Sequence, residues 1–158
     1  MPIYEGGFTT KGGEPGPGGL LKIGPILPGE VTIPSALAKL LADEGQQIPP
    51  PVSGFMLIDT GATRSCVDTE IVTKLGVKPI GIATLTTASG ESKHNLYPAK
   101  LNFPPMTFGV EFGSLVGVNL KQQTVGGHQI IALLGRDLLS RCLLVYNGLK
   151  GSFTLAFS

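Results

Sequence analysis

An all-β, barrel-like domain with two or three short helices is the fold class this sequence predicts. Three observations lead there. Short apolar stretches recur along most of the chain, and each closes on Gly, Pro or an Asn-Gly signal. Only a few brief segments carry an apolar stripe at helical spacing. The chain has 158 residues, 42% of them hydrophobic, enough for one domain with a real core and too apolar for a disordered chain.

Taken in order, residues 1–19 read as a flexible Gly/Pro-rich arm, because 11–19 hold almost no side chain to bury. Their glycines form no phosphate loop, since no GxxxxGK[ST] pattern follows. The domain proper is assigned to 20–158. Residues 20–33 predict short strands broken by Pro25 and Pro28. A short helix follows over 33–45, with Pro34 in its first turn, Leu37, Leu40 and Leu41 on one face, and Gly45 at its C-terminal cap. Pro49-Pro50-Pro51 is a stiff extended connector.

Phe55-Met56-Leu57-Ile58 is a buried strand, and 65–67 a brief second one. Asp68 caps a helix over 69–75, with Glu70 in the first turn, Lys74 in the last and Gly76 closing it. Residues 82–88 and 91–97 form a hairpin about Ser89-Gly90. Two or three strands fill 101–120, a polar Gly-rich loop 121–128, and a buried strand 130–134. A short helix over 136–141, a strand over 143–146, the turn Asn147-Gly148 and a final alternating strand over 153–157 complete the chain.

Composition excludes several functions. A net charge of +1 gives no basic field for nucleic acid. No apolar run approaches the roughly 18 residues of a membrane span. The first residues lack a signal peptide's basic region and apolar core, so the expectation is a soluble, cytoplasmic protein. Cys66 and Cys142 are too few for a disulfide framework and form no zinc pattern; Cys66 reads as a small buried hydrophobe. His94 and His128 are isolated, which favours solvated surface roles over ligation. No GxSxG or HExxH supports a serine or metallo-hydrolase. No cofactor or metal is expected.

The chemistry concentrates at Asp59-Thr60-Gly61-Ala62, directly after the buried strand 55–58. A desolvated carboxylate is costly, and a buried strand has no structural need for one at its tip. A glycine close behind allows a sharp turn and a close approach. One carboxylate on a stiff element suits acid/base work; the plain alternative is a strand ending in an Asx-turn. A second motif lies downstream, Ile130-Ile131-Ala132-Leu133-Leu134-Gly135-Arg136-Asp137-Leu138-Leu139.

Together, in this order and within one small domain, the two motifs resemble those of retropepsin-like aspartic proteases, nearest to those found in bacterial genomes. The resemblance covers roughly residues 20–158. It implies an acid-protease barrel active as a homodimer, because the chain holds one Asp-Thr-Gly and the chemistry needs two carboxylates. It implies that Asp59 is catalytic, that Thr60, Gly61 and Ala62 complete the active-site loop, and that Gly135, Arg136 and Asp137 form a structural motif. Substrate binding falls to Thr63, to the flap tip Ala88, Ser89 and Gly90, and to Leu133 and Leu134. The implied partners are a second copy of the chain and a peptide or protein substrate with apolar side chains about the cleaved bond. The Gly/Pro-rich arm is a candidate self-processing site.

The sequence departs from the resembled pattern at one point. Viral members place an acid after the loop to pair with the motif's arginine, whereas Thr63 and Arg64 stand here. Arg136 therefore needs a different partner, a backbone carbonyl or an acid elsewhere. The strand over 153–157 is expected at the dimer contact. The competing reading is a catalytically silent dimerisation or peptide-binding module on the same fold.

Overall fold

The computed structural model describes residues 1–7, 17–125 and 128–158. Its elements, in order, are β1 (Ile3–Gly7), α1 (Pro17–Ile23), β2 (Ile26–Thr32), α2 (Ser35–Asp43), β3 (Val52–Ile58), β4 (Cys66–Asp68), α3 (Thr69–Lys74), β5 (Gly81–Thr87), β6 (Gly90–Phe103), a 3-10 turn (Pro104–Met106), β7 (Phe108–Val118), β8 (Thr124–Val125), β9 (His128–Leu134), α4 (Arg136–Leu139), β10 (Cys142–Asn147) and β11 (Ser152–Phe157). The chain is mostly β with short helices, as expected.

Six strands close on themselves. β2 pairs with β3, β3 with β9, β9 with β4, β4 with β7, β7 with β6, and β6 returns to β2 through Glu30–Asn102 and Val31–Leu101. Closure leaves no unpaired edge around the ring. Leu27, Val31, Met56, Val67, Leu101, Leu115 and Leu134 are fully enclosed. The pairs β3–β9 and β4–β7 are parallel, and the others in the ring are antiparallel. Pro98, which has no N–H to donate, sits in β6 where the register with β7 shifts between Tyr97 and Ala99. The N-terminal part of β6 runs on with β5 as the expected hairpin, turning at Gly90, whose φ is +119°.

A second sheet has the order β1–β11–β10. Phe157 joins it to the barrel, its ring 5.5 Å from Phe103 and 4.7 Å from Phe108. Helix α2 is anchored to β7, where Glu111 accepts hydrogen bonds from the Ser35 backbone N–H and hydroxyl. Its residues Leu37, Ala38 and Leu41 pack against the core, and Gly45, with φ +69°, follows its end.

Three sequence expectations are corrected. Residues 3–7, read as part of a flexible arm, form β1 and pair with β11 along their whole length. Gly6 serves close packing within this strand: a Cβ on it would lie 2.9 Å from the Phe153 ring and 2.5 Å from the Tyr4 ring. Residues 8–16, the rest of most of that arm, lie outside the described residues. Residues 17–23 are helical, where 17–19 were read as the end of the arm and 20–23 as part of the short strands. Lys22 in the last turn and Gly24 beyond it, with φ +89°, are the signals that mark this helix end. Within 121–128, read as a loop, Thr124–Val125 pairs with β9; residues 126 and 127 lie outside the described residues, as does the His128 side chain.

Candidate active site

Strand β3 delivers Asp59 to a fixed point. Ile58 N–H donates to Pro25 O and Asp59 N–H to Leu134 O, both at 2.9 Å, so the strand end is held from either side. Beyond it the chain turns at once. Asp59 Oδ1 accepts from Gly61 N–H at 3.0 Å, and Ala62 N–H donates to Asp59 O at 3.2 Å. The Asx-turn read as the plain alternative is therefore present. It also orients the carboxylate, which stays half-buried while Thr60 and Gly61 are exposed.

The second motif grips this loop. Arg136 N–H donates to Ala62 O at 2.8 Å and Asp137 N–H to Thr63 O at 3.2 Å. The Arg136 guanidinium donates to Thr60 O at 2.7 Å and to Thr63 Oγ1 at 3.0 Å. The backbone-carbonyl partner expected for this arginine is thus Thr60, and Thr63 supplies a hydroxyl where the resembled pattern has an acid. Gly135 has to be glycine: a Cβ there would lie 2.6 Å from the Arg64 carbonyl carbon and 3.0 Å from Ala62 O.

Ser65 was not singled out from the sequence, yet it is the hub of the grip. It is fully buried. Its N–H and hydroxyl donate to the two Asp137 carboxylate oxygens at 2.9 and 2.7 Å, and its hydroxyl oxygen accepts from Gly135 N–H at 2.9 Å. Asp137 Oδ1 also accepts from Leu138 N–H at 2.8 Å. Hydrogen bonds to a charged group are the stronger kind, and here they tie α4 to the loop across 72 residues of sequence. Cys66 follows, buried as expected. Burial, with the Asp59 and Asp137 charges adding and Arg64 opposing, pushes its thiol up to about 11.

A groove of about 480 Å³ runs between the loop and the hairpin, lined by Gly61, Ala62, Thr63, Arg64 and Cys66 on one side and Thr84, Leu85, Thr86 and Thr87 on the other. Thr63 is therefore brought to the groove. Ala88, Ser89 and Gly90 are exposed at the hairpin tip beyond it, and β5 lines it instead. Leu133 is half-buried in β9, opposite Leu57 and Cys66. Leu134 corrects the expectation of a substrate contact: its side chain is fully enclosed in the core, and only its carbonyl serves the site. The hairpin wall is threonine-rich, where apolar lining was expected. His94, read as solvated, is half-buried and bonds β7: its Nδ1 lies 3.1 Å from Gly117 O and so donates, and Nε2 lies 2.8 Å from Ser92 Oγ. A larger groove of about 690 Å³ beside α3 shares no residue with this loop.

Residues 52–138, more than half of the chain, match the sequence profile of the aspartyl proteases. The chain belongs to the aspartyl protease family. The matched span opens with β3 and closes inside α4, so it holds both the Asp59 loop and the motif that grips it. The solution structure of the simian foamy virus (mac) protease is similar at 16% identity, with a TM-score of 0.43 over 73% of this chain and 92% of that one. No curated protein matches the chain. Among the described residues of this aspartyl protease, no group of three His, Cys, Asp or Glu is placed to hold a metal, and no helix is long and apolar enough to cross a membrane.

Proposed function

We propose that this protein is a retropepsin-like endopeptidase of the bacterial kind, hydrolysing peptide bonds as a homodimer with one Asp59 carboxylate from each subunit. The observation that carries the reading is the single half-buried carboxylate on a turn held from both sides by backbone hydrogen bonds. A two-fold axis through two such loops sets two carboxylates together. Two like charges in contact cannot both ionise, so the pair holds one proton. The ionised partner takes a proton from a water between them, and the protonated partner polarises the scissile carbonyl. Thr60 and Gly61, exposed at the turn, face outward for the partner loop and the substrate. An extended peptide in the groove takes main-chain bonds from the loop and β5.

Support for dimerisation comes from the terminal sheet. Ile3, Leu143 and Val145 are exposed apolar residues, and the register puts them on one face: Ile3 and Leu143 both pair with Ala156, while Val145 pairs with Thr154. This refines the expectation for 153–157. Phe153, Leu155 and Phe157 point into the subunit's own core, and both edges of β11 are taken. The contact therefore falls to the flanking strands β1 and β10.

Asp59→Asn tests the reading. Cleavage of a peptide library drops about 10³-fold, the scale of a lost acid/base group, while fold and solution mass stay unchanged. Undiminished cleavage by that variant, or an active species containing one chain, overturns it.

A further inference from the structure

Among the described residues lining the groove, Arg64 alone has a cationic or anionic side chain, Cys66 being held as the thiol. It is half-buried. Its Nη2 donates to Ser114 Oγ at 2.7 Å, and among the described residues no carboxylate forms an ion pair with it. A guanidinium carries five N–H donors in a planar fork, a shape matched to a carboxylate, and Ser114 uses one of them. The nearby acids are engaged elsewhere: Asp137 accepts from Ser65 and Leu138, and Asp59 Oδ1 from Gly61. On the hairpin, Glu91 and Lys93 oppose each other in sign across from Thr86 and Thr84, and neither lines the groove. Arg136 is turned to the outside of the loop, on Thr60 O and Thr63 Oγ1, and does not line the groove, so Arg64 is the held cation that the groove itself presents.

The geometry points to Arg64 as a specificity-determining residue that pairs with an acidic side chain, Asp or Glu, at one fixed position of an extended peptide in this groove. The inference rests on the reading of the groove as a peptide site. A purely structural arginine would need only the neutral Ser114 bond and would leave peptide charge without effect.

The test uses C-terminally amidated peptides that differ by Glu or Gln at one position, scanned across four positions on each side of the cleaved bond. With the wild type, Glu raises kcat/KM about tenfold over Gln at one position, the scale of a charge-assisted hydrogen bond. Arg64→Gln brings that ratio to about one, and Arg64→Glu turns it below one, in favour of Gln. The same preference in both variants, or no position where Glu matters, overturns the assignment. So does a preference that appears only when the peptide ends there in a free carboxylate. Binding of the same peptides to Asp59→Asn, read by fluorescence polarisation, separates the two proposals. Glu-over-Gln binding with no cleavage by the wild type upholds Arg64 and sinks the peptidase reading. Cleavage without the preference does the reverse, and neither cleavage nor binding sinks both.

Discussion

The two walls of the groove are built in opposite ways. The Asp59 loop is crossed by backbone and side-chain hydrogen bonds from Leu134, Gly135, Arg136 and Asp137, with Ser65 buried at the centre. The hairpin facing it is mostly exposed from Thr84 to Lys93 and depends on its own ladder, with His94 as a side-chain tie to β7. Precision is concentrated at the carboxylate that the proposed reaction uses, and compliance at the wall past which the proposed peptide enters and leaves.

The largest expected effect contrasts two glycines. Gly135→Ala forces a Cβ against the Arg64 backbone and costs about 3 kcal/mol in urea unfolding. Gly90→Ala has open space around it and costs about 1 kcal/mol, set by its positive φ alone. Equal costs would break the contrast. Next, Ser65→Ala leaves the buried Gly135 N–H and the Asp137 carboxylate short of partners and costs about 2 kcal/mol. Thr87→Ala, on the hairpin, stays within about 0.5 kcal/mol. Smaller still, His94→Ala removes one hydrogen-bonded tie worth about 1 kcal/mol. Amide exchange then quickens across 81–97 and holds steady across 59–66; equal quickening in both would mean the walls are not independent.

Cys66 gives the subtlest probe. Its folded-state pKa lies above the ordinary value of 9.0, at about 11, so the native protein keeps the proton. At pH 8 the thiol alkylates about a hundredfold more slowly than an exposed cysteine. The same shift favours the folded state below pH 9, and that contribution is lost as the pH rises from about 9 to 11. Rapid labelling at pH 8 would show a looser loop than the hydrogen bonds describe.

Much of this contrast was legible in the sequence. The strand 55–58 and the strand before Gly135 stood out as apolar runs, and α3 was marked at both ends by Asp68 and Gly76. The hairpin followed from a threonine-rich outgoing arm and the turn signal Ser89-Gly90. What escaped depends on distant partners. Gly6 reads as part of an arm until β11 is folded beside it, pairing it with Phe153 and covering it with that ring. Ser65 is an ordinary serine until Asp137 is folded against it. Leu134 belonged to the right motif, but which way its side chain points is settled by the barrel and not by the motif.

The parallel pairing of β3 with β9 also dictates when the loop acquires its shape. Asp59 leaves the ribosome well ahead of residues 134–137, whose groups grip its turn from outside. Contacts between such distant segments form late in folding. A chain made only as far as β3 therefore carries this carboxylate on a turn without its grip, and the grip waits for β9 and α4.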